Sequence, residues 1–272
     1  MGLEDKMQEW EALKHYSSKA NTKPTLDIID YHKDDKKTIV LLGDTHIGSK
    51  YFDEELLIEN LEWCKENNIP MILMGDMIET ATRDSVGAGI YEQDEIVDKQ
   101  IEHFYTLFED LANKGLIIGL HQGNHEARLF KSSGLDISKI MAKTLKIKYF
   151  GYAKLHYIRV GNQGYLLYTT HGASGATMPH TKIKAAIKLA DMIEAEIYAM
   201  GHVHQLSHHV RNYYKADLRK RKIIESQKHF ILTGSYLSHW NSYGHIKGYE
   251  PMRKGSAKLK LNGKEHRIRV SL

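Results

Sequence analysis

From Thr38 onward, short apolar runs alternate with amphipathic stretches, and that alternation predicts repeated strand and helix units. The runs fall at residues 39–42, 71–74, 116–120, 165–169 and 197–200, and each gives way to a polar turn bearing Gly or His. Between them, residues 53–67 place Leu56, Leu57, Leu61 and Cys64 on one helical face. Residues 94–113 do the same with Val97, Ile101, Phe104, Phe108 and Leu111, and Gly115 stops that helix. After Gly201 the pattern turns to strands. Its clearest element is a closing hairpin: residues 258–261, a type I′ turn at Asn262-Gly263, then Ile268 and Val270 in alternation. A weaker hairpin is predicted over residues 159–165. Residues 1–36 read as a short amphipathic helix, with Met7, Trp10, Leu13 and Tyr16 at helical spacing, followed by a polar linker. Residues 37–272 then form the main domain, and residues 81–93 a surface loop placed to cover a site.

Composition narrows the class. With 42% hydrophobic and 26% charged residues in 272, the chain has the balance of a folded globular protein rather than a disordered one. No uncharged apolar run approaches the roughly 18 residues of a membrane span, and the first thirty residues are polar, so a cytoplasmic protein with no membrane partner is expected. Cys64 is the only cysteine, which excludes an intrachain disulfide; its place in an apolar pattern predicts a buried small hydrophobe rather than a nucleophile. The net charge of +4 conceals an asymmetry. Residues 205–272 hold fifteen Lys or Arg against four Asp or Glu, so the rest of the chain is acidic. Such an excess marks either a surface for polyanions or solvated Lys-rich edge strands.

Candidate chemistry sits in five short motifs, each just after one of the apolar runs: Gly43-Asp44-Thr45-His46, Gly75-Asp76, Gly123-Asn124-His125-Glu126, Thr170-His171-Gly172 and Gly201-His202-Val203-His204. Taken singly, Asp or Asn after Gly is an ordinary turn, and a lone His on a strand is an ordinary core residue. Five in succession after five strands predict one site, because loops at strand carboxyl ends bring distant segments together. Carboxylates and imidazoles without thiolate suit divalent ions, Mn²⁺ first, with Fe, Zn²⁺, Ni²⁺ and Mg²⁺ as alternatives. Two such cations need a short bridging carboxylate, for which Asp76 is the candidate.

In this order, Asp-x-His, Gly-Asp, Gly-Asn-His-Glu, a single His and Gly-His-x-His resemble the calcineurin-like metallophosphoesterase family over about residues 38–205. The resemblance implies an α/β fold, a β-sandwich of mixed sheets flanked by helices, with a dinuclear metal site at strand carboxyl ends. It implies that Asp44, His46 and His204 hold one metal, that Asn124, His171 and His202 hold the other, and that Asp76 is shared. His125 would be the outer-sphere acid, giving His125 and Asp76 as catalytic residues. The reaction expected is attack of water on a phosphate ester, with the cations acidifying the water and drawing in the phosphate oxygens. A non-catalytic scaffold of the same fold is the alternative, although all seven ligand positions are filled.

Substrate class is less sharply marked. The family's protein phosphatases carry Gly-Asp-x-Val-Asp-Arg-Gly at the second motif, whereas this chain has Gly75-Asp76-Met77-Ile78-Glu79-Thr80 and lacks that Arg-Gly. The first motif, Asp44-Thr45-His46-Ile47-Gly48, resembles the Asp-x-His-x-Gly of the family's DNA-repair exonucleases. A phosphodiesterase or nuclease acting on nucleotides, DNA or RNA is therefore expected ahead of a phosphomonoesterase. Fewer than seventy residues follow His204, short for the capping domain those exonucleases usually add. Lys215, Arg219, Lys220, Arg221 and Lys222 form a basic cluster near Tyr213, Tyr214, Tyr236, Trp240 and Tyr243, which reads as a surface for phosphates and bases or as edge packing of a small sheet. Arg128, Tyr236 and His239 are the candidate substrate contacts, with Glu126 or Glu79 as possible partners of Arg128.

Overall fold

Strand β2 (Lys36–Leu42) shows how the chain divides its core. Side chains alternate across a strand, so Ile39 and Leu41 face one apolar layer while Val40 and Leu42 face another. The first layer lies between two sheets, where Ile39, Leu41, Ile72 and Leu259 meet Ile158, Tyr165, Leu167, Ile197 and Ile231. The second lies outside one sheet, under Leu57, Leu61, Cys64, Phe104, Phe108 and Met141. A third covers the other sheet with Ala186 and Leu189 against Tyr198, Met200, Phe230 and Leu232. The result is an α/β sandwich of two mixed sheets flanked by helices. This computed structural model describes Met7 and residues 25–82, 85 and 89–272. The helix expected around Trp10, Leu13 and Tyr16 lies outside the described residues, as does part of the loop predicted over residues 81–93.

One sheet runs β12-β11-β2-β3-β4-β5, with β5 at Lys148–Gly151, and the other β1-β6-β7-β8-β10-β9. In the first, β2, β3 (Met71–Leu73) and β4 (Ile117–His121) are parallel neighbours. In the second, β7 (Gln163–Thr170) and β8 (Ile197–Met200) are parallel. The five strands carrying the motifs are thus the ones whose carboxyl ends open together. Helix α1 (Glu54–Glu66) is capped by Asp53, whose side chain accepts from Leu56 N, and α2 (Val97–Asn113) ends just before Gly115 in the left-handed region at φ 69°. Cys64 is buried on α1, and burial pushes its thiol up to about 11. Helices α3 (Glu126–Ser133), α4 (Ile137–Thr144) and α5 (Pro179–Lys188) complete the layers. Among the described residues, no helix is long and apolar enough to cross a membrane.

Two expectations are corrected, and one feature was not foreseen. The supposed linker before residue 37 contains β1 (Leu26–Tyr31), paired in parallel with β6 (Ala153–Val160). Its polar appearance conceals an inward face, where Asp27 takes a hydrogen bond from Lys148 Nζ (2.6 Å) and faces His156 Nδ1 (3.1 Å). The closing hairpin, β11 (Ala257–Asn262) with β12 (Ile268–Ser271), has no two-residue turn, since Leu261 pairs with Ile268. Asn262 Oδ1 instead accepts from Lys264 N (2.9 Å), while Gly263 N donates to Asp35 O (2.7 Å) and draws the loop onto its neighbours. Finally, β9 (Leu206–Asp217) and β10 (Lys222–Thr233) pair along their full length, but only residues 229–232 of β10 pair with β8. The remainder projects as a two-stranded ribbon.

A buried imidazole chain supports the sheets beneath the motif loops. Thr169 Oγ1 lies 2.7 Å from both His156 Nε2 and His121 Nε2, and all three side chains are excluded from solvent. Burial depresses His121 to about 3 and His229 to about 4, and lowers His156 as well. Below the ordinary value of about 6.5 the unfolded chain therefore binds protons that the folded chain refuses, so stability falls as pH falls. His121 alone should cost up to about 1.4 kcal/mol per pH unit across that window. Glu126, pushed up to about 7 by burial and Asp76, offsets one such group. We predict that the urea midpoint of the metal-free protein declines between pH 6.5 and 4, before the lowered carboxylates Asp27 and Asp53 titrate. A flat midpoint over that range would contradict this.

Candidate metal centre

The motif loops are held in a conformation that side chains ordinarily avoid. Asp44, His46, Asp76, His202 and His204 all adopt positive φ, between 50° and 68°. Such backbone costs on the order of 1 to 3 kcal/mol per residue and persists where its surroundings over-determine it. Here Asp44 N donates to Gly75 O (3.0 Å), His46 N to Asp76 O (3.1 Å), and His202 N to both Asp44 carboxylate oxygens (3.0 Å each). Gly123 lets two loops touch: a Cβ there would lie 2.1 Å from Asp76 N. Glu126 ties them from below, accepting from Met77 N (2.6 Å), Ile78 N (3.2 Å), Asp76 N (3.1 Å) and Gly123 N (3.0 Å). The sequence reading gave Glu126 no such role, because Asp76, Met77 and Ile78, the partners that join the two loops, are 48 to 50 residues away.

These constraints bring the expected ligands into two groups. Ligand atoms of Asp44, His46 and His204 lie within 4.8 Å of one another, and so do those of Asp76, His171 and His202. Asn124 Oδ1 joins the second group, 2.9 Å from His171 Nε2 and 2.6 Å from His202 Nδ1. The donor set fits divalent cations. His46 Nδ1 donates to Glu79 Oε2 (2.8 Å), which leaves the lone pair of Nε2 facing His204 Nε2 at 3.1 Å. His171 Nδ1 donates to Met74 O (3.0 Å), which turns its Nε2 toward two acceptors, Asn124 Oδ1 and Asp76 Oδ2 (3.2 Å). Lone pairs facing lone pairs, beside buried Asp44 and Asp76, call for positive charge. The ionisation equilibria agree: burial opposes a charged His171, yet Asp76 and Asp44 raise it to about 10. Asp76 sits with the second group, and its charge also acts on Asp44.

A third group, His46, Glu79 and His125, borders the first. Sequence reasoning considered Glu79 only as a partner for Arg128, and its distance along the chain hid its contact with His46. His125 Nδ1 donates to Glu79 O (2.9 Å) and also faces Glu79 Oε1 (3.2 Å), while its Nε2 accepts from Arg128 Nη2 (2.9 Å). Burial opposes protonation of His125, but Asp76 and Glu79 raise it above the ordinary histidine value. Arg128 pairs weakly with Glu79 (3.5 Å). Residues that orient a metal-ligating His usually carry a 10- to 100-fold effect on metal affinity. Glu79→Gln is therefore expected to weaken Mn²⁺ binding by about 10- to 100-fold in competition with a chelator. Unchanged affinity would remove Glu79 from this role.

A cleft of about 390 Å³ opens over these groups, lined by His46, Glu79, His125, His202 and His204, and also by Arg128 and His239. Tyr236, expected to touch substrate, does not reach it. The ring is wholly buried, its hydroxyl pairs with Ser256 Oγ (2.7 Å), and its backbone N donates to Asp44 O (3.0 Å), so it anchors the first motif from behind. Its neighbours Ser235 and Leu237 line the cleft instead. The basic cluster at residues 215–222 is also displaced. It caps the β9–β10 ribbon, and twelve strand residues at roughly 3.3 Å each carry it about 40 Å along the chain from the His204 end. Trp240 is exposed and stacks on His245, and the side chain of Tyr243 lies outside the described residues.

No protein-family model matches the chain, and no curated protein matches it in sequence. Among solved structures, it is similar to a conserved uncharacterized protein of Streptococcus pneumoniae described as a predicted phosphoesterase, with 15% identity and a TM-score of 0.37 over 86% of this chain and 88% of that one. It is likewise similar to a Vps29 double mutant from Entamoeba histolytica, with 13% identity and a TM-score of 0.38 over 86% of this chain and 98% of that one.

Proposed function

We propose that this protein is a dinuclear metal-dependent phosphoesterase. Within that class, we propose that it hydrolyses phosphodiester bonds in nucleotides, DNA or RNA, with Mn²⁺ as its working metal. The observation that carries the reading is the convergence of two imidazole and carboxylate groups, with Asn124 in the second, whose His46, His202 and His204 line one cleft. Asp44, His46 and His204 would hold one cation and Asn124, His171 and His202 the other, with Asp76 shared between them. When bound, the cations supply Lewis-acid chemistry, acidifying water and neutralising phosphate charge.

The chain's own groups do the rest. Glu79 fixes the tautomer of His46, and Asp76 Oδ1 accepts from His125 N (2.8 Å), locking the His125 loop to the ligand set. His125 Nε2 is the atom placed to carry a proton to the leaving oxygen. Arg128 now donates to that nitrogen; an anionic phosphate in the cleft would compete for the guanidinium and free it. The second motif lacks the Arg-Gly of the protein phosphatases, and among the described residues Arg128 is the guanidinium that lines the cleft.

The test is a Mn²⁺-reconstituted panel of bis-aryl phosphate, single-stranded DNA and RNA, and aryl monophosphate. Cleavage of the diesters, with rates on polymer falling as salt rises, supports the reading. Preference for the monophosphate would make the protein a phosphomonoesterase, and no cleavage with weak metal binding would make it a scaffold.

A further inference from the structure

Lys182 sits where packing would place an apolar residue. It shares the inward face of α5 with Ala186, one turn away, and is only 6% exposed. A lysine so buried is ordinarily paired, yet among the described residues Lys182 makes no side-chain hydrogen bond or ion pair within 4 Å. Its side chain lines the metal-centre cleft, together with Ser174, Thr177 and Ser238. Burial lowers its ammonium below the usual lysine range, and Glu250 is the charge that opposes this. The surrounding helix end adds to the field. The first turn of α5 has no acidic residue, and its N-cap residue, Met178, makes no side-chain cap. Pro179 at the first position has no N–H, and the Thr181 and Lys182 amides donate to Met178 O (2.9 and 3.0 Å), so the helix end contributes chiefly the partial positive charge of its dipole at the end that carries Thr177 and Lys182.

We infer that Lys182 and the N-terminus of α5 form a second anion subsite in the cleft, which binds a phosphate other than the one undergoing hydrolysis. This inference rests on the proposed function and names its substrate class: a nucleotide or oligonucleotide bearing a further phosphate beside the scissile diester. A cleft of about 390 Å³ lies in the range that accommodates ligands well beyond a single phosphate group.

Binding tests this separately from catalysis. Isothermal titration of the Mn²⁺-loaded full chain should compare a nucleoside 3′,5′-bisphosphate with the corresponding 3′- and 5′-monophosphates. The bisphosphate should bind at least about tenfold more tightly than either monophosphate, as an added charge-assisted contact provides. Lys182→Met should erase that advantage and Lys182→Arg should retain most of it, with thermal melting confirming that both variants fold. The inference is overturned if the wild-type chain binds all three ligands alike, or if folded Lys182→Met keeps the tenfold advantage. Failure of the proposed function would appear elsewhere, as absence of diester cleavage by the wild-type chain.

Discussion

Asp76→Asn should reduce diester cleavage by about 10³-fold or more, equivalent to about 4 kcal/mol of lost transition-state stabilisation. Asp76 is 1% exposed and stands at the junction of the site. One carboxylate oxygen accepts from His125 N and the other lies 3.2 Å from His171 Nε2. Asparagine preserves the acceptor for His125 N, so the fold should survive, but it removes the charge that would hold two cations together. Metal analysis of the reconstituted variant should show less than the wild-type complement. Activity within about tenfold of wild type, with full metal content, would show that the reaction does not pass through Asp76.

His125→Asn should lower turnover by about 10²- to 10⁴-fold on diesters with alkoxide leaving groups, the range in which a positioned general acid contributes. The loss should be much smaller on a bis-p-nitrophenyl ester, because nitrophenolate departs without a proton. The geometry behind this is the hold on the imidazole: Nδ1 is fixed by Glu79 O at 2.9 Å, and the ring packs edge-on against His46 at 4.3 Å. Steady-state rates on paired esters decide it. Equal losses on both leaving groups would assign His125 to positioning rather than proton transfer.

Much of the candidate site was legible because each candidate ligand follows a short buried strand, and a strand that ends in Gly and a polar residue leaves a strong local pattern. Asp44, Asp76, His171 and His202 were placed on separate loops by that signal alone, and the parallel order of β2, β3 and β4 and of β7 and β8 explains why those loops face one another. What escaped is what depends on distant partners. Glu79 and Glu126 act through atoms of other loops, so neither residue's local sequence reveals the contact. Strand β1 was read as linker because its inward Asp27 is polar, and the ion pair that permits its burial comes from Lys148, 121 positions later. Tyr236 was grouped with surface aromatics, whereas its backbone bond to Asp44 O and its hydroxyl bond to Ser256 hold it buried behind Asp44. The basic cluster near residue 220 was real in composition, but pairing along all of β9 and β10 carries it to the tip of a ribbon. Lys182 gave no sign, because a lysine in an amphipathic helix ordinarily faces solvent.

The most direct test is anomalous scattering from a crystal of the chain grown with Mn²⁺. Two peaks about 3.5 to 4 Å apart are expected, one contacted by Asp44, His46 and His204, the other by Asn124, His171 and His202, and both by Asp76. A single peak, or none between these residues, would contradict the dinuclear centre.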